Sequence, residues 1–191
     1  MQFVKDTFTQ TLEIKQSKFI AYLTPYSDYS KTLNELKANH PKARHFVVAY
    51  RYLNEFEQTI EHSSDDGEPK GTSGKPSLMV LQGNELIDSA VIIVRYFGGT
   101  KLGTGGLVRA YGDAVNLVIE SSELFEYKKR VLTKISFEYS DARLVDYECE
   151  KYSVDIESKE FGSSVLYELN ASQEDMNLFL TQLHRVVKTL S

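Results

Sequence analysis

AVIIVRYFGGTKLGTGGLVRAY, Ala90 to Tyr111, is the stretch whose reading decides the fold. Ala90 to Val94 is a continuous apolar run of the kind found in strands covered on both faces, and it predicts a central strand. The glycine-rich RYFGGTKLGTGG follows it. From there to Glu120, Leu107, Ala110, Tyr111, Ala114, Val115 and Val118 recur at helical spacing and predict a buried helix.

A buried strand that passes through such a loop into a helix creates a place for an oxyanion. Glycines let the backbone approach a ligand, and a helix N-terminus offers unpaired N–H groups at the positive end of its dipole. Gly98, Gly99, Gly103, Gly105 and Gly106 are the permissive positions, and Arg95, Lys101 and Arg109 are three cations that could converge on one phosphate. The spacing matches neither the phosphate loop, which needs Gly-Lys-Ser/Thr at its end, nor the dinucleotide GxGxxG pattern. A purely structural role suits the same residues: the glycines make a tight crossing, and the cations are solvated or paired with acids.

Working back towards the N-terminus, SSDDGEPKGTSGK carries three glycines, one proline and no large apolar side chain, which predicts a surface loop. Asp65, Asp66 and Glu68 fall within four positions. Oxygen ligands so close suit a hard cation such as Mg2+, although the EF-hand spacing is absent. The alternative is that these carboxylates pair with Arg95, Lys101 or Arg109 and brace the two loops against each other. Lys70, Thr72 and Lys75 add ammonium and hydroxyl donors able to close over a phosphate. A hydroxyl nucleophile would need a base, and His45 and His62, both on predicted strands, read more simply as hydrogen-bonded structural histidines.

The remaining pattern frames these loops. Phe8 to Ile14 and Lys18 to Leu23 predict a hairpin, and Ser27 or Asp28 would cap a helix running to Ala38 before Pro41. His45 to Tyr52 and Gln58 to Ser63 predict two more strands, and a short helix is expected at Pro76 to Gln82. Beyond Glu126 to Arg130 a second set of elements begins, so the chain divides into domains at 1–127 and 128–191. The second set reads as a strand (131–139), a helix (142–152), strands at 154–161 and 164–169, and a helix capped by Ser172 that runs towards Val187. This βαββα order predicts a ferredoxin-like domain, and the whole an α+β chain.

Composition narrows the functions. Hydrophobic residues make up 41% of the chain and charged residues 26%, as in ordinary folded proteins. The net charge of −5 argues against coating nucleic acid by bulk electrostatics, so any polyanion contact must be local. Cys149, the single cysteine, has no partner for an internal disulfide. With no apolar stretch long enough for a membrane span and no signal-like start, a cytoplasmic location is expected.

The blocks SKFIA, ARHFVVAYRY, DDGEPKGTSGKP and VRYFGGTKLGTGGLVRAY, in this order from Ser17 onward, resemble the signature blocks of the IMPACT/YigZ family. The resemblance implies a βαβ-type N-terminal domain similar to a small-subunit ribosomal protein and to domain IV of elongation factor G. The C-terminal part resembles domain V of that factor. It also carries a suspected site onto Asp65, Asp66, Glu68, Arg95, Tyr96, Lys101 and Arg109. Many relatives have a cysteine where this chain has Val47, so no Cys–His pair operates here. Because those cousins contact RNA, the expected function is an anion-binding factor that associates with RNA or a ribosomal component and regulates translation. An enzyme acting on a phosphorylated small molecule and a protein-interaction adaptor are the rival readings.

Overall fold

In the computed structural model, which describes residues 1–190, the first unit of the chain, Met1–Tyr127, is built on a five-stranded sheet. Its elements are β1 (Gln2–Phe3), β2 (Phe8–Ile14), β3 (Ser17–Pro25), α1 (Tyr29–Asn39), β4 (His45–Leu53), β5 (Thr59–Ser64), α2 (Gly74–Gly83), β6 (Ser89–Tyr96), α3 (Gly103–Glu120) and β7 (Phe125–Glu126). The sheet order is β2-β3-β6-β4-β5 and every neighbouring pair is antiparallel. Both β3 and β4 run against β6, so they are parallel to each other, with α1 as the crossover between them. The same relation joins β5, α2 and β6 across β4. These are two split βαβ units.

β6 sits at the centre of the sheet because both of its faces are covered. Val91 and Ile93 pack with Phe19, Ala21, Val47 and Ala49 beneath Leu81 of α2 and Tyr111 and Val115 of α3. On the opposite face Ile92 and Val94 meet Val48 and, from α1, Leu33 and Leu36. That double cover accounts for an uninterrupted apolar run in an antiparallel sheet, where alternation is the usual pattern.

Helix boundaries depart from the pattern in informative ways. α3 starts at Gly103, a full turn ahead of its first apolar residue, because its N-terminal turn is made by the glycine-rich segment itself. α2 begins at Gly74, which leaves Pro76 inside the first turn where no N–H is required. The residues expected to cap α1 instead form a 3-10 turn, Tyr26–Asp28, and Asp28 makes no side-chain cap.

The second unit, Lys128–Ser191, contains β8 (Arg130–Phe137), α4 (Ala142–Lys151), β9 (Asp155–Phe161), β10 (Val165–Ser172), α5 (Gln173–Gln182) and β11 (Lys188–Leu190). Its sheet order is β11-β8-β10-β9, all antiparallel. This completes the ferredoxin-like βαββαβ order, one strand more than the sequence pattern shows. β11 is three residues long and exposed, so it carries no periodicity to detect. α5 accordingly ends at Gln182 and does not reach Val187. Its cap is as expected: Ser172 Oγ accepts the Asp175 N–H at 3.1 Å. Alternate residues of β10, namely Val165, Tyr167, Leu169 and Ala171, enter a core with Ile135, Phe137 and Phe179.

Candidate functional site

The acidic loop between β5 and α2 spends its polar groups on itself and on its neighbours. Asp65 Oδ1 accepts from the Ser73 N–H at 3.1 Å, the Ser73 hydroxyl at 2.8 Å and the Gly74 N–H at 2.8 Å. Its Oδ2 accepts from the Gly71 N–H at 2.7 Å. Burial alone would raise the Asp65 pKa, but these donors outweigh it and hold the carboxyl below its ordinary value. Asp66, at φ +44°, accepts the Phe46 N–H on its carboxylate at 2.6 Å. Its carbonyl lies 2.8 Å from His45 Nδ1, which must therefore carry a proton. The Thr72 hydroxyl donates to the Pro69 carbonyl at 2.7 Å.

Glu68 reaches further and ties this loop to β6 and α3. Its Oε1 accepts from the Arg95 guanidinium and from the Tyr111 hydroxyl, the latter at 2.8 Å. Glu68 is 9% exposed and Arg95 5%. A buried ion pair of this kind persists only when its hydrogen bonding is good, and loss of either partner strands a charge. Burial, reinforced by the adjacent Glu68 charge, raises the Tyr111 pKa far above its ordinary value, so the phenol stays a donor. His45 Nε2 approaches the same Glu68 oxygen at 3.8 Å. The Arg95 guanidinium lies over the rings of Phe19 at 5.3 Å and Phe97 at 5.9 Å. Its Nε, buried, has no acceptor among the described residues.

The loop from β6 to α3 behaves differently. Gly98 belongs to the structural side: its N–H donates to Ser17 Oγ at 3.1 Å. A Cβ there would stand 2.0 Å from the Gln16 carbonyl carbon. It is a glycine because the chain crosses the β2–β3 turn at backbone contact. Beyond it, Gly99 to Gly105 are exposed apart from Leu102, which is partly covered. α3 has no side-chain cap at Leu102, and the amides of Gly103, Thr104 and Gly105 have no acceptor within the helix.

Between the two loops lies a cleft of about 330 Å³. Pro69, Phe97, Leu102 and Leu107 give it apolar walls, and Arg95, Glu68 and Lys101 bring charge to it. Glu68, Arg95, Lys101 and Gly103 are thus the expected residues that meet at one place. Others do not join them. Tyr96 points to the opposite face of the sheet, where its hydroxyl lies 2.9 Å from His40 Nδ1, because successive strand residues alternate. Arg109 is exposed on α3 and is not part of the cleft wall, nor are Lys70, Lys75, Gly99, Gly105 and Gly106. The three cations therefore do not converge on one anion, and Arg95 is already paired. The acidic trio is split among three tasks, and among the described residues no cluster of His, Cys, Asp or Glu is arranged to hold a metal such as Mg2+.

Sequence reasoning did not single out three residues that stand at or beside the cleft. Tyr111 reads as core, yet a phenol on an apolar face needs a partner for its hydroxyl, and that was the available signal. Phe97 stands directly before two glycines and is 47% exposed, where burial would be the ordinary outcome for so large an apolar side chain. Thr104, between two glycines, carries no signal of its own. Among the described residues no helix is long and apolar enough to cross a membrane.

The sequence and the fold both have counterparts. The Impact N-terminal domain model matches residues 15–119, more than half of the chain. An IMPACT family member of Haemophilus influenzae is 40% identical over 174 residues, covering 90% of this chain and 84% of that protein. The IMPACT family member YvyE of Bacillus subtilis is 31% identical over 179 residues, covering 92% and 82% respectively. The Escherichia coli member YigZ is 41% identical over 129 residues, 66% of this chain and 62% of that one. A crystal structure of a hypothetical protein superposes with a TM-score of 0.73 at 28% identity, covering 100% of this chain and 96% of the other. With a domain match that contains both loops of the cleft and relatives aligned along most of their length, the chain belongs to the IMPACT family.

Proposed function

We propose that this protein is a binding factor that regulates translation by docking phosphate of RNA, or of an RNA-containing ribosomal component, on the loop between β6 and α3. The observation that carries the reading is the uncapped N-terminus of α3. Its Gly103, Thr104 and Gly105 amides open onto an exposed loop beside Lys101. The net charge of −5 supports a local contact of this kind over an extended basic surface. Binding is favoured over catalysis because the nearby carboxylates are fixed in structural pairings, Asp65 with four donors and Glu68 with Arg95 and Tyr111, which leaves them as acceptors and not as proton-transfer groups.

Filter binding of single-stranded RNA across a salt series tests it. Lys101→Ala is expected to lower affinity and to reduce the log–log salt slope by about 1, the share of one phosphate contact. Unchanged affinity and slope would discard the proposal.

A further inference from the structure

The cleft beside this loop is built for something more specific than a backbone phosphate. It has an anion-receiving end, apolar walls and a buried cation with unused hydrogen-bonding capacity. We infer that it binds a single nucleotide unit bearing a terminal phosphate, with the phosphate on the α3 amides and Lys101 and the base against Phe97. This rests on the reading of the loop as the anion-receiving element and adds the chemistry of what the anion is attached to.

Four observations carry it. The volume, about 330 Å³, lies at the small end of the range for ligand pockets, which suits one nucleotide-sized body better than a strand threading through. Phe97 is 47% exposed at the cleft, an aromatic face offered to a planar group, and Leu102 and Pro69 continue the apolar surface. Arg95, 5% exposed, lines the cleft with its Nε lacking any acceptor among the described residues. Such a buried, unpaired donor calls for a partner, and a group entering from the cleft that Arg95 lines is one that would serve. Finally, Glu68 Oε1 takes both of the hydrogen bonds found on that carboxylate. The Glu68 carboxylate lines the cleft and gives it an acceptor for a base edge carrying N–H donors. An anionic end, a flat body and a donor edge together describe a nucleotide. A fatty acid or a sugar phosphate lacks at least one of them.

A terminal phosphate on a nucleotide has two sources, a free mononucleotide or the 5′ end of an RNA, and the experiment separates them. Calorimetric titration of the full chain with AMP, adenosine and inorganic phosphate comes first. AMP is expected to bind more tightly than adenosine, by its phosphate contacts, and about tenfold more tightly than inorganic phosphate, the equivalent of one base–aromatic stack. Phe97→Ala should abolish that advantage and leave inorganic phosphate binding unchanged, whereas Lys101→Ala should weaken AMP and phosphate together. Both side chains are exposed, so both variants keep the fold. Next, the same RNA oligonucleotide is compared with a 5′-phosphate and with a 5′-hydroxyl. Preference for the phosphorylated end assigns the cleft to RNA termini; equal binding alongside tight AMP assigns it to free nucleotides. The inference is overturned if AMP binds no better than its fragments, or if neither variant changes AMP affinity. RNA binding that shows salt dependence without any AMP binding would uphold the proposed function and sink only this step. AMP binding without RNA binding would do the reverse.

Discussion

The loops at residues 65–75 and 97–106 are both glycine-rich and both carry hydroxyls and lysine, yet they do opposite things with their backbone. In the first, a single carboxylate gathers the amides: Asp65 takes Gly71, Ser73 and Gly74, and Glu68 locks Arg95 and Tyr111. The second has no carboxylate at all, so beyond Gly98 its amides have no internal acceptor of that kind, and its residues are exposed apart from the partly covered Leu102 and Gly106. What distinguishes a bracing loop from a receiving loop here is the presence of an anion supplied by the chain itself. Where the chain supplies none, a ligand can.

The contrast predicts that substitutions in the first loop cost the fold and those in the second cost binding. Glu68→Ala should have the largest effect, since it strands the buried Arg95 charge and the Tyr111 hydroxyl; a loss of about 3–5 kcal/mol in denaturant unfolding is expected. A loss under 1 kcal/mol would show that the pair is solvated. Gly98→Ala sharpens the boundary, because Gly98 lies within the second loop but belongs to the structural class. Its Cβ would meet backbone at 2.0 Å, and overpacking against backbone that cannot turn aside should cost about 3 kcal/mol.

Asp65→Asn should cost about 2 kcal/mol through weakened bonds to a formerly charged acceptor. It also has a pH signature. The Asp65 carboxyl is held below its ordinary value in the folded protein, so its contribution is complete above the unfolded pKa of about 3.9 and disappears as pH falls through the lower folded value. The wild-type protein should therefore lose stability more steeply than Asp65→Asn as the medium is acidified below about pH 4, which thermal melts along a pH series would reveal. Parallel profiles would mean that the four donors do not act on a charged group. The smallest effect belongs to Lys101→Ala, whose melting curve should match wild type within about 0.5 kcal/mol. A large destabilisation there would erase the distinction between the two loops.

Much of the first unit was legible because its signals are strong and local. The apolar run at Ala90–Val94 reads as a covered strand and is one, and the inward residues of α3 are all buried. The second unit's last strand was not legible, since Lys188 to Leu190 offers three exposed residues held in place by pairing with β8. The site was half legible. Residue types and spacing pointed to both loops and to the bracing of one against the other. They could not tell that Arg95 would be claimed by Glu68, that Tyr96 would face away, or that the hydroxyl of Tyr111 would close the network. Those outcomes depend on which side of a strand each residue falls and on partners more than 25 positions away, which a linear pattern does not encode.

The central position of β6 carries a cost in time. β3 and β4 each find their inner partner only in residues 89–96, so the first 88 residues can form two hairpins but no seam between them. A nascent chain must hold those hairpins apart, with Phe19, Ala21, Val47 and Ala49 still uncovered, until a strand encoded late arrives to stitch them. Such long-range closure is slow, and the waiting intermediate presents bare strand edges to its neighbours. A polypeptide halted before Ser89 should accordingly be sticky and a substrate for chaperones, even though four of the five strands of this sheet have already been made.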